Sequence, residues 1–250
     1  MFTRAIVRTP GENFCDGITT SRLGRPDRRK TLEQHTAYCD ALRDCGVEVS
    51  VLTADERFPD GCFVEDTAVV TEDCAVIARL GAPERRGEEE AIADALAAFR
   101  PLRRIEEPAT LDGGDVMRVS DQFYVGLSKR TNAEGALQLT SALSEHGHVV
   151  STIPVNGVLH LKTGVTFVGD NTLVATGEFA GRDEFNAFCR IDVDETAAAN
   201  CLNVNGTILV PAGFPKTASA LRRLRRPVIE LDISEFRKMD GGLTCLSLLF

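Results

Sequence analysis

The sequence lacks any long apolar stretch. No apolar run near the N-terminus reaches the ~7–15 residues that a signal peptide needs, and none in the chain reaches the ~18 of a membrane span. We therefore expect a cytoplasmic protein that does not associate with a membrane. The composition, with 43% apolar and 26% charged residues among 250, is that of a globular chain. It excludes a disordered or fibrous protein.

Positive charge is also scarce. The 28 lysines and arginines are outnumbered by 37 aspartates and glutamates, which leaves a formal net charge of −9. Binding to a nucleic-acid backbone needs a basic surface, so nucleic acid is not an expected partner. One arginine cluster occurs, at Arg222, Arg223, Arg225 and Arg226. It is typical of the polar face of a helix.

Common metal and nucleotide motifs are missing as well. The eight cysteines include no C-x-x-C pair, and the four histidines form neither H-x-x-x-H nor H-E-x-x-H. No Asp-rich calcium loop and no Gly-rich phosphate loop occurs. We therefore predict no metal site and no cofactor, and we expect most of the thiols to be free and buried.

The chain repeats one pattern about five times. A short apolar strand is followed by a segment of helical periodicity, a second strand and a turn that contains Asp-Gly or Asn-Gly. The first strands of the five units are IVRTP (6–10), VIARLGAP (76–83), FYVGLSKRTN (123–132), LVATGEFAG (173–181) and ILVPAGFPKT (208–217). The predicted helical segments are Thr31–Cys45, Glu88–Phe99, Ala133–His146 and Thr217–Arg225. The unit at 170–205 is the most degraded.

Such units cannot bury their own apolar faces and must pack against their neighbours. The repeat therefore predicts an α/β fold in which five units close around an axis, as a single domain over residues 1–250. The turn ends of the units should then meet at a central cavity.

Cys245 is a candidate nucleophile. It follows the turn Asp240-Gly241-Gly242, which we expect to precede a short apolar strand and to hold the thiol at a cavity mouth. A nucleophilic cysteine needs a base or positive charge nearby. The alternative is a buried strand cysteine, because free cysteine is among the most buried residue types.

His160 is the candidate acid or base. The flanking Val158, Leu159 and Leu161 predict an apolar strand, in which an imidazole needs a polar partner. It is either a satisfied core histidine or a general acid and base near neutral pH. We interpret the other three histidines as structural.

Carboxylates are concentrated at the turns. Asp60, Glu65 and Asp66 surround an apolar segment that we predict to be a strand, and Asp112 and Asp115 bracket Gly113-Gly114. Each could simply cap its own turn. If several converge on one cavity, they favour a cationic ligand with many hydrogen-bond donors, and a guanidinium fits best.

These residues, in this order, resemble the dimethylarginine dimethylaminohydrolase family of the guanidine-modifying pentein superfamily. The resemblance spans essentially the whole chain. Its motifs are RFPDGCFVEDTAVV (57–70), ARLGAPERRGEE (78–89), TLDGGDVM (110–117), VGLSKRTNAEGA (125–136), VLHLKTG (158–164) and RKMDGGLTCLSL (237–248). The resemblance implies a five-bladed, five-fold pseudo-symmetric α/β propeller.

The same resemblance implies a catalytic set. Cys245 matches the nucleophile, His160 the proton donor and later the base for water, and Asp112 the acid that orients the histidine and contacts the guanidinium. Some bacterial relatives carry Glu at the position of Asp112, so the side chain here is shorter.

A substrate-binding set is implied in the same way. Asp66 matches the carboxylate that grips the guanidinium, with Asp60 and Glu65 as neighbouring polar contacts. Arg85 and Arg130 match the arginines that bind the substrate carboxylate. The main-chain oxygens of Ile18 and Met239 match those that hold the α-amino group, and the segment 15–25 matches a mobile lid.

The implied activity is hydrolysis of asymmetric dimethylarginine and monomethylarginine to citrulline and an amine, through a covalent thiouronium intermediate and without a cofactor. The implied partner is this small molecule, and a homodimer remains possible. Three alternatives stay open: an arginine deiminase that releases ammonia, a ligand-binding or redox-sensing protein with a reactive Cys245, and a zinc hydrolase. Zinc could also inhibit by capturing Cys245 with His160.

Overall fold

A computed structural model describes residues 1–250. It contains five small sheets of three strands each. The strands are β1 (Arg4–Arg8), β2 (Glu48–Leu52), β3 (Ala68–Val70), β4 (Ala75–Ile77), β5 (Leu102–Arg104), β6 (Val116–Val119), β7 (Gln122–Leu127), β8 (Val149–Pro154), β9 (Val165–Gly169), β10 (Thr172–Ala175), β11 (Cys189–Asp192), β12 (Leu202–Val204), β13 (Thr207–Pro211), β14 (Val228–Leu231) and β15 (Leu248–Leu249).

Every sheet has the same connectivity. The central strand pairs antiparallel with one neighbour and parallel with the other, as β7 does with β6 and β8. The remaining sheets are β3-β4-β5, β11-β10-β9, β12-β13-β14 and β15-β1-β2. The last sheet joins the two ends of the chain, since Ala5 pairs with Leu249. The predicted five-unit α/β propeller is confirmed.

The four longer helices cross from the central strand of a sheet to its parallel neighbour. Those with at least eight residues are α1 (Arg28–Asp44), α2 (Glu88–Ala97), α3 (Ala133–Ser144) and α6 (Pro215–Arg222). The short ones are α4 (Leu161–Gly164), α5 (Thr196–Ala199) and α7 (Ser234–Arg237). None of them combines the length and apolar character needed to cross a membrane.

The four predicted helices are confirmed, with shifted ends. Helix α1 begins three residues before the predicted Thr31, because the Asp27 side chain caps it by accepting from the Lys30 N–H at 2.8 Å. Asn132 caps α3 in the same manner. In the degraded unit the long helix is replaced by two single turns of 3-10 helix, Gly177–Phe179 and Asp183–Phe185.

One short helical turn precedes the antiparallel strand of every sheet. The five turns are Val64–Thr67, Gly113–Asp115, Leu161–Gly164, Thr196–Ala199 and Thr244–Leu246. The turn Val64–Thr67 contacts both Gly113–Asp115 and Thr244–Leu246, and Leu161–Gly164 contacts Gly113–Asp115 and Thr196–Ala199. We call these five segments the ring turns.

The ring turns correct one set of expectations. The predicted strands around Glu65, Asp66, His160 and Cys245 are wrong, because three of these residues lie in ring turns and His160 caps another. In the turn Val64–Thr67 every residue is buried, so its burial has no period. Periodicity alone does not distinguish such a run from a buried strand.

Apolar side chains fill the space between the sheets and their helices in five clusters. In the first cluster, the rings of Phe14, Phe63 and Phe236 pack edge to face with centroids 5.5–6.4 Å apart. This packing lies beneath Met239 and Leu246. It supports the ring turn that carries Cys245.

Candidate active site

Asp66 lies at the centre of the first carboxylate-bearing ring turn. It is buried, and its Oδ1 accepts from the Gly114 N–H at 3.0 Å while its Oδ2 accepts from Arg85 Nη1 at 2.6 Å. Burial raises the pKa of a carboxyl, but the charges of His160 and Arg85 outweigh it and lower the pKa of Asp66 to about 2. Asp66 is therefore an anion at neutral pH.

Asp112 precedes the next ring turn and is fully buried. Its Oδ1 accepts from the Gly81 N–H at 2.8 Å, and its Oδ2 lies 3.0 Å from His160 Nε2. Asp115, three residues further on, accepts from the Leu161 N–H at 2.9 Å. The two aspartates thus hold both the imidazole and the backbone that carries it.

His160 caps the short helix Leu161–Gly164, and its ring is buried between two carboxylates. Nε2 bonds Asp112, and Nδ1 lies 3.9 Å from Asp66 Oδ1. Burial lowers the pKa of His160, but the charge of Asp66 and the hydrogen bond to Asp112 outweigh it and raise the pKa to about 9. The ring is therefore an imidazolium at neutral pH, with a proton to donate.

Gly114 makes this close approach possible. A Cβ atom at this position would lie 2.7 Å from both Asp66 Oδ1 and His160 Nδ1. Such contacts are well inside van der Waals distance, so any side chain here would push the carboxylate and the imidazole apart.

Cys245 lies in the ring turn Thr244–Leu246 and is partly exposed. Its Sγ accepts from the Gly242 N–H at 3.3 Å. Burial, followed by the charges of Glu65 and Asp66, raises the pKa of the thiol to about 12. The cysteine is therefore protonated until something cationic enters the site.

A cavity of about 350 Å³ opens beside Cys245. Thr20, Ser21 and Leu23 of the predicted lid form part of its wall, opposite Val158 and Asn200. A volume of this size holds an amino acid with a long side chain. Cys245 thus faces a chamber in which a small molecule can meet the thiol.

The predicted lid is tied down by two aspartates. Asp60, buried, accepts from the Ile18 N–H at 2.9 Å, and Asp240 accepts from the Thr20 N–H at 2.6 Å. Ile18 is 39% exposed, whereas Met239 is buried beside Asp240. Burial raises the pKa of Asp60. The structure therefore brings Asp60, Ile18 and Met239 to the lid side of the site.

Arg85 is held by contacts within the protein. Its buried guanidinium donates to Asp66 through Nη1, to Glu88 through Nε and Nη2, and to the Phe63 carbonyl through Nη2. Most of its N–H groups are therefore taken by the protein. The family resemblance implies that Arg85 binds the substrate carboxylate, and that contact stays a prediction.

Arg130 has the opposite character. Its side chain is 14% exposed, and its buried Nη1 has no hydrogen-bond partner. Nη1 lies 3.9 Å from Asp112 Oδ2, the oxygen that also holds His160. Arg130 therefore offers unused donors to an incoming carboxylate, at the position where the sequence predicts one.

Glu65 is also engaged within the protein. Its Oε1 lies 2.5 Å from Lys162 Nζ, and its Oε2 accepts from Thr244 Oγ1 at 2.7 Å. Burial raises the pKa of Glu65. Together with Thr244 and Lys162 it borders a second cavity of about 370 Å³, separate from the one beside Cys245. The structure thus places Glu65 as a link between ring turns rather than in the wall of the Cys245 cavity.

One cation could fit among the buried ligand atoms of Asp66, Asp112 and His160, which lie within 4.8 Å of one another. The thiol of Cys245 does not belong to this set. Zinc capture by Cys245 and His160 therefore stays a prediction, and the geometry offers the two aspartates as the partners of His160 instead.

The sequence analysis did not identify Glu88, Lys162 and Asn200, whose hydrogen bonds and ion pairs hold other residues of the site in place. Glu88 and Lys162 occur in the quoted motifs, so a charge complement to Arg85 and Glu65 was available as a signal. Asn200 lies in the degraded unit, where no motif marks it. Its role is visible only from its hydrogen bonds to Lys162 and Thr244, which are far apart in the sequence.

The comparisons with known proteins agree with this geometry. A family model described as N,N dimethylarginine dimethylhydrolase, eukaryotic, matches residues 22–187. The chain is 48% identical to the N(G),N(G)-dimethylarginine dimethylaminohydrolase of Pseudomonas aeruginosa over all of both chains. It is 38% identical to the enzyme of that name from Streptomyces coelicolor, covering 98% of this chain and 95% of the relative.

Solved structures extend the likeness to the fold. A cysteine-to-serine mutant of the Pseudomonas aeruginosa protein, complexed with citrulline, covers 100% of both chains at 48% identity with a TM-score of 0.98. A second dimethylarginine dimethylaminohydrolase, a histidine-to-glycine form captured as an adduct with S-methyl-L-thiocitrulline, has the same TM-score, identity and coverage. The N-terminal domain of ArgZ, a cyanobacterial arginine dihydrolase, shares the fold at 18% identity and a TM-score of 0.88, covering 98% of this chain and 97% of that domain.

These matches span the ring turns and the whole propeller. The chain belongs to the dimethylarginine dimethylaminohydrolase family.

We predict that Gly114→Ala separates Asp66 from His160 and lowers turnover by about 10²-fold, because small misplacements of reacting groups have effects of that size. Steady-state rates and circular dichroism would check this, with Ser141→Ala, at an exposed position of α3, as the folded control. Turnover of Gly114→Ala equal to that of the control would contradict the packing argument.

Proposed function

We propose that the protein hydrolyses asymmetric dimethylarginine and monomethylarginine to citrulline and dimethylamine or methylamine. The observation that carries this proposal is a buried imidazolium held by two carboxylates near a partly exposed thiol. We further propose that residues 1–250 form one catalytic domain. The homodimer stays a prediction.

Substrate binding uses the anionic side of the site. Asp66 and Asp112 attract the guanidinium and fix its plane, and Arg130 receives the α-carboxylate. The lid groups, namely Asp60 and the main-chain oxygens of Ile18 and Met239, hold the α-amino group. Holding both ends orients the guanidinium carbon against sulfur, which replaces a bimolecular encounter by an oriented reaction.

The thiol loses its proton as the cation binds. The pKa of Cys245 is raised by burial and by Glu65 and Asp66. A guanidinium between the sulfur and these carboxylates opposes their field and favours the thiolate. The nucleophile is therefore formed in the complex, where it is used, rather than in the empty enzyme.

The chemistry follows in two halves. The Cys245 thiolate adds to the guanidinium carbon, and the tetrahedral adduct collapses as His160 protonates the departing dimethylamine. An S-alkylthiouronium remains on Cys245. The neutral His160 then takes a proton from water, and hydroxide adds to the same carbon. The C–S bond breaks as the added hydroxyl group loses its proton to solvent, which releases neutral citrulline and the thiolate.

Arg85 supports this site from within. In the proposed mechanism its guanidinium keeps Asp66 ionised and oriented, and Glu88 in turn holds Arg85. Its expected contact with the substrate carboxylate stays a prediction, and Arg130 is the arginine with free donors.

We predict that the purified protein releases citrulline and dimethylamine from asymmetric dimethylarginine, and that Cys245→Ser folds but does not. Citrulline and the amines would be quantified, with monomethylarginine and arginine as parallel substrates. Ammonia from arginine, without amine from the methylated substrates, would favour a deiminase. Turnover by Cys245→Ser near the wild-type level would remove the nucleophile.

We predict that kcat/KM falls as the pH rises through about 9, because the amine leaves only if His160 enters the reaction with its proton. Asp112→Asn removes one charge that raises this pKa, so the alkaline limb should move to lower pH. Rates from pH 6 to 11 would check both. An alkaline limb unaffected by Asp112→Asn would contradict the assignment of His160.

We predict that Arg130→Gln raises KM by about 10–10²-fold, since it removes a charged hydrogen-bond donor to the carboxylate. Arg85→Gln should instead lower kcat and thermal stability, because it leaves Asp66 and Glu88 buried without their cation. Steady-state kinetics and thermal melts of both variants provide the comparison. The reverse pattern would exchange the two roles.

A further inference from the structure

Asn200 connects the two ring turns that carry the proposed nucleophile and the proposed acid. We propose that it is a positioning residue, which sets the register of Cys245 against His160. This inference rests on the proposed function, since it concerns the geometry of the same reaction. Asn200 comes from the degraded fourth unit, just after the ring turn Thr196–Ala199.

The side chain of Asn200 uses both of its ends. Its Oδ1 accepts from the Thr244 N–H at 3.0 Å, and its Nδ2 donates to the Lys162 carbonyl at 2.9 Å and to Thr244 Oγ1 at 3.1 Å. Thr244 immediately precedes Cys245, and Lys162 lies two residues after His160. One amide thus ties both catalytic segments together.

The amide is buried, with 5% of its surface exposed, although it borders the cavity beside Cys245. A buried amide with three hydrogen bonds has little freedom to rotate, because breaking any of them leaves a polar group unpaired. The contacts require both a donor and an acceptor at fixed places. Of the side chains of this size, only asparagine supplies both.

Gly242 is part of the same arrangement. A Cβ atom at Gly242 would collide with the Asn200 side chain, and the Gly242 N–H donates to the Cys245 sulfur. The glycine is therefore required by the close approach of Asn200 rather than by a left-handed backbone. This explains the second glycine of the pair, whereas a Cβ atom at Gly241 would instead lie 2.4 Å from the Phe63 ring.

A second set of side-chain contacts joins the same two ring turns. Thr244 Oγ1 donates to Glu65, which is paired with Lys162. This path joins the same two turns through a salt bridge. Asn200, however, contacts the backbone of both turns. It therefore fixes the position of Cys245, whereas the salt bridge only adds attraction between the turns.

The role predicts a specific kinetic signature. When the amide is removed, the thiol and the imidazolium lose their alignment, while the groups that hold the amino-acid end of the substrate are unaffected. Turnover should fall with little change in KM. A residue that only stabilised the fold would lower the melting temperature and the fraction of active enzyme, but not kcat per active site.

The experiment compares Asn200→Asp and Asn200→Ala with wild type. Aspartate keeps the acceptor for Thr244 but loses both donors, and alanine loses all three contacts. Asn171→Asp is the matched control, because it removes one amide-to-carbonyl hydrogen bond, to Ala187, on an exposed turn far from the site. The readouts are kcat per titrated active site, KM, melting temperature and the rate of Cys245 alkylation by the neutral reagent iodoacetamide.

We expect kcat to fall about 10–10²-fold in both Asn200 variants, with KM within about threefold of wild type and an altered alkylation rate. The aspartate adds a negative charge near the thiol, so its pH profile should move to higher pH, and that of the alanine variant should not. The Asn171→Asp control should match wild type throughout.

Unchanged kcat per active site in Asn200→Ala, even with a lower melting temperature, would overturn this inference and leave the proposed function intact. Loss of the proposed function is detected separately, by turnover in Cys245→Ser. If the alanine variant does not fold, the isosteric Asn200→Asp decides: the predicted loss of kcat supports the positioning role, and wild-type kcat overturns it.

Discussion

The hydrogen bond between Asp112 and His160 is the interaction on which the site depends. An imidazolium buried without counter-charges would lose its proton, since burial disfavours the charged form. Asp112 and Asp66 reverse that preference, and the pKa of His160 rises to about 9. Burial, followed by the charges of Glu65 and Asp66, raises the pKa of the Cys245 thiol. The resting site therefore holds a proton on both groups, and a cationic substrate is required to form the thiolate.

The five repeated units of the propeller bring these buried charges and the thiol together. Each sheet begins with a short ring turn, and the five turns meet near the axis, so residues separated by up to 180 positions become neighbours. Four of the turns position the reacting groups: one carries Asp66, the next follows Asp112, the third follows His160 and the C-terminal one carries Cys245. The remaining turn, Thr196–Ala199, carries no reacting group, but Asn200 directly after it joins the ring turns Leu161–Gly164 and Thr244–Leu246.

The sequence predicts the fold because its repeat is local, and its motifs contain the residues that the structure brings to the ring turns. Strand, helix and turn recur in the same order, but the cap at Asp27 was not predicted, and α1 begins three residues before the predicted Thr31. The predicted strands at His160 and Cys245 are wrong, since a continuous buried run has no period to separate a turn from a strand. The sequence analysis did not pair Arg85 with Glu88 or Glu65 with Lys162, although both partners occur in the motifs, because a buried ion pair depends on which charges the fold brings together. Asn200 lies outside every motif, and only its contacts identify it.

A direct titration of His160 tests the central claim. The chain has four histidines, so single substitutions assign their imidazole signals in a nitrogen-detected NMR spectrum. The account predicts that one signal, absent in His160→Gly, stays protonated up to a pH of about 9, and that Asp112→Asn lowers its pKa. A His160 pKa at or below the ordinary value of about 6.5 would contradict the account, since the leaving amine would then have no proton donor at neutral pH.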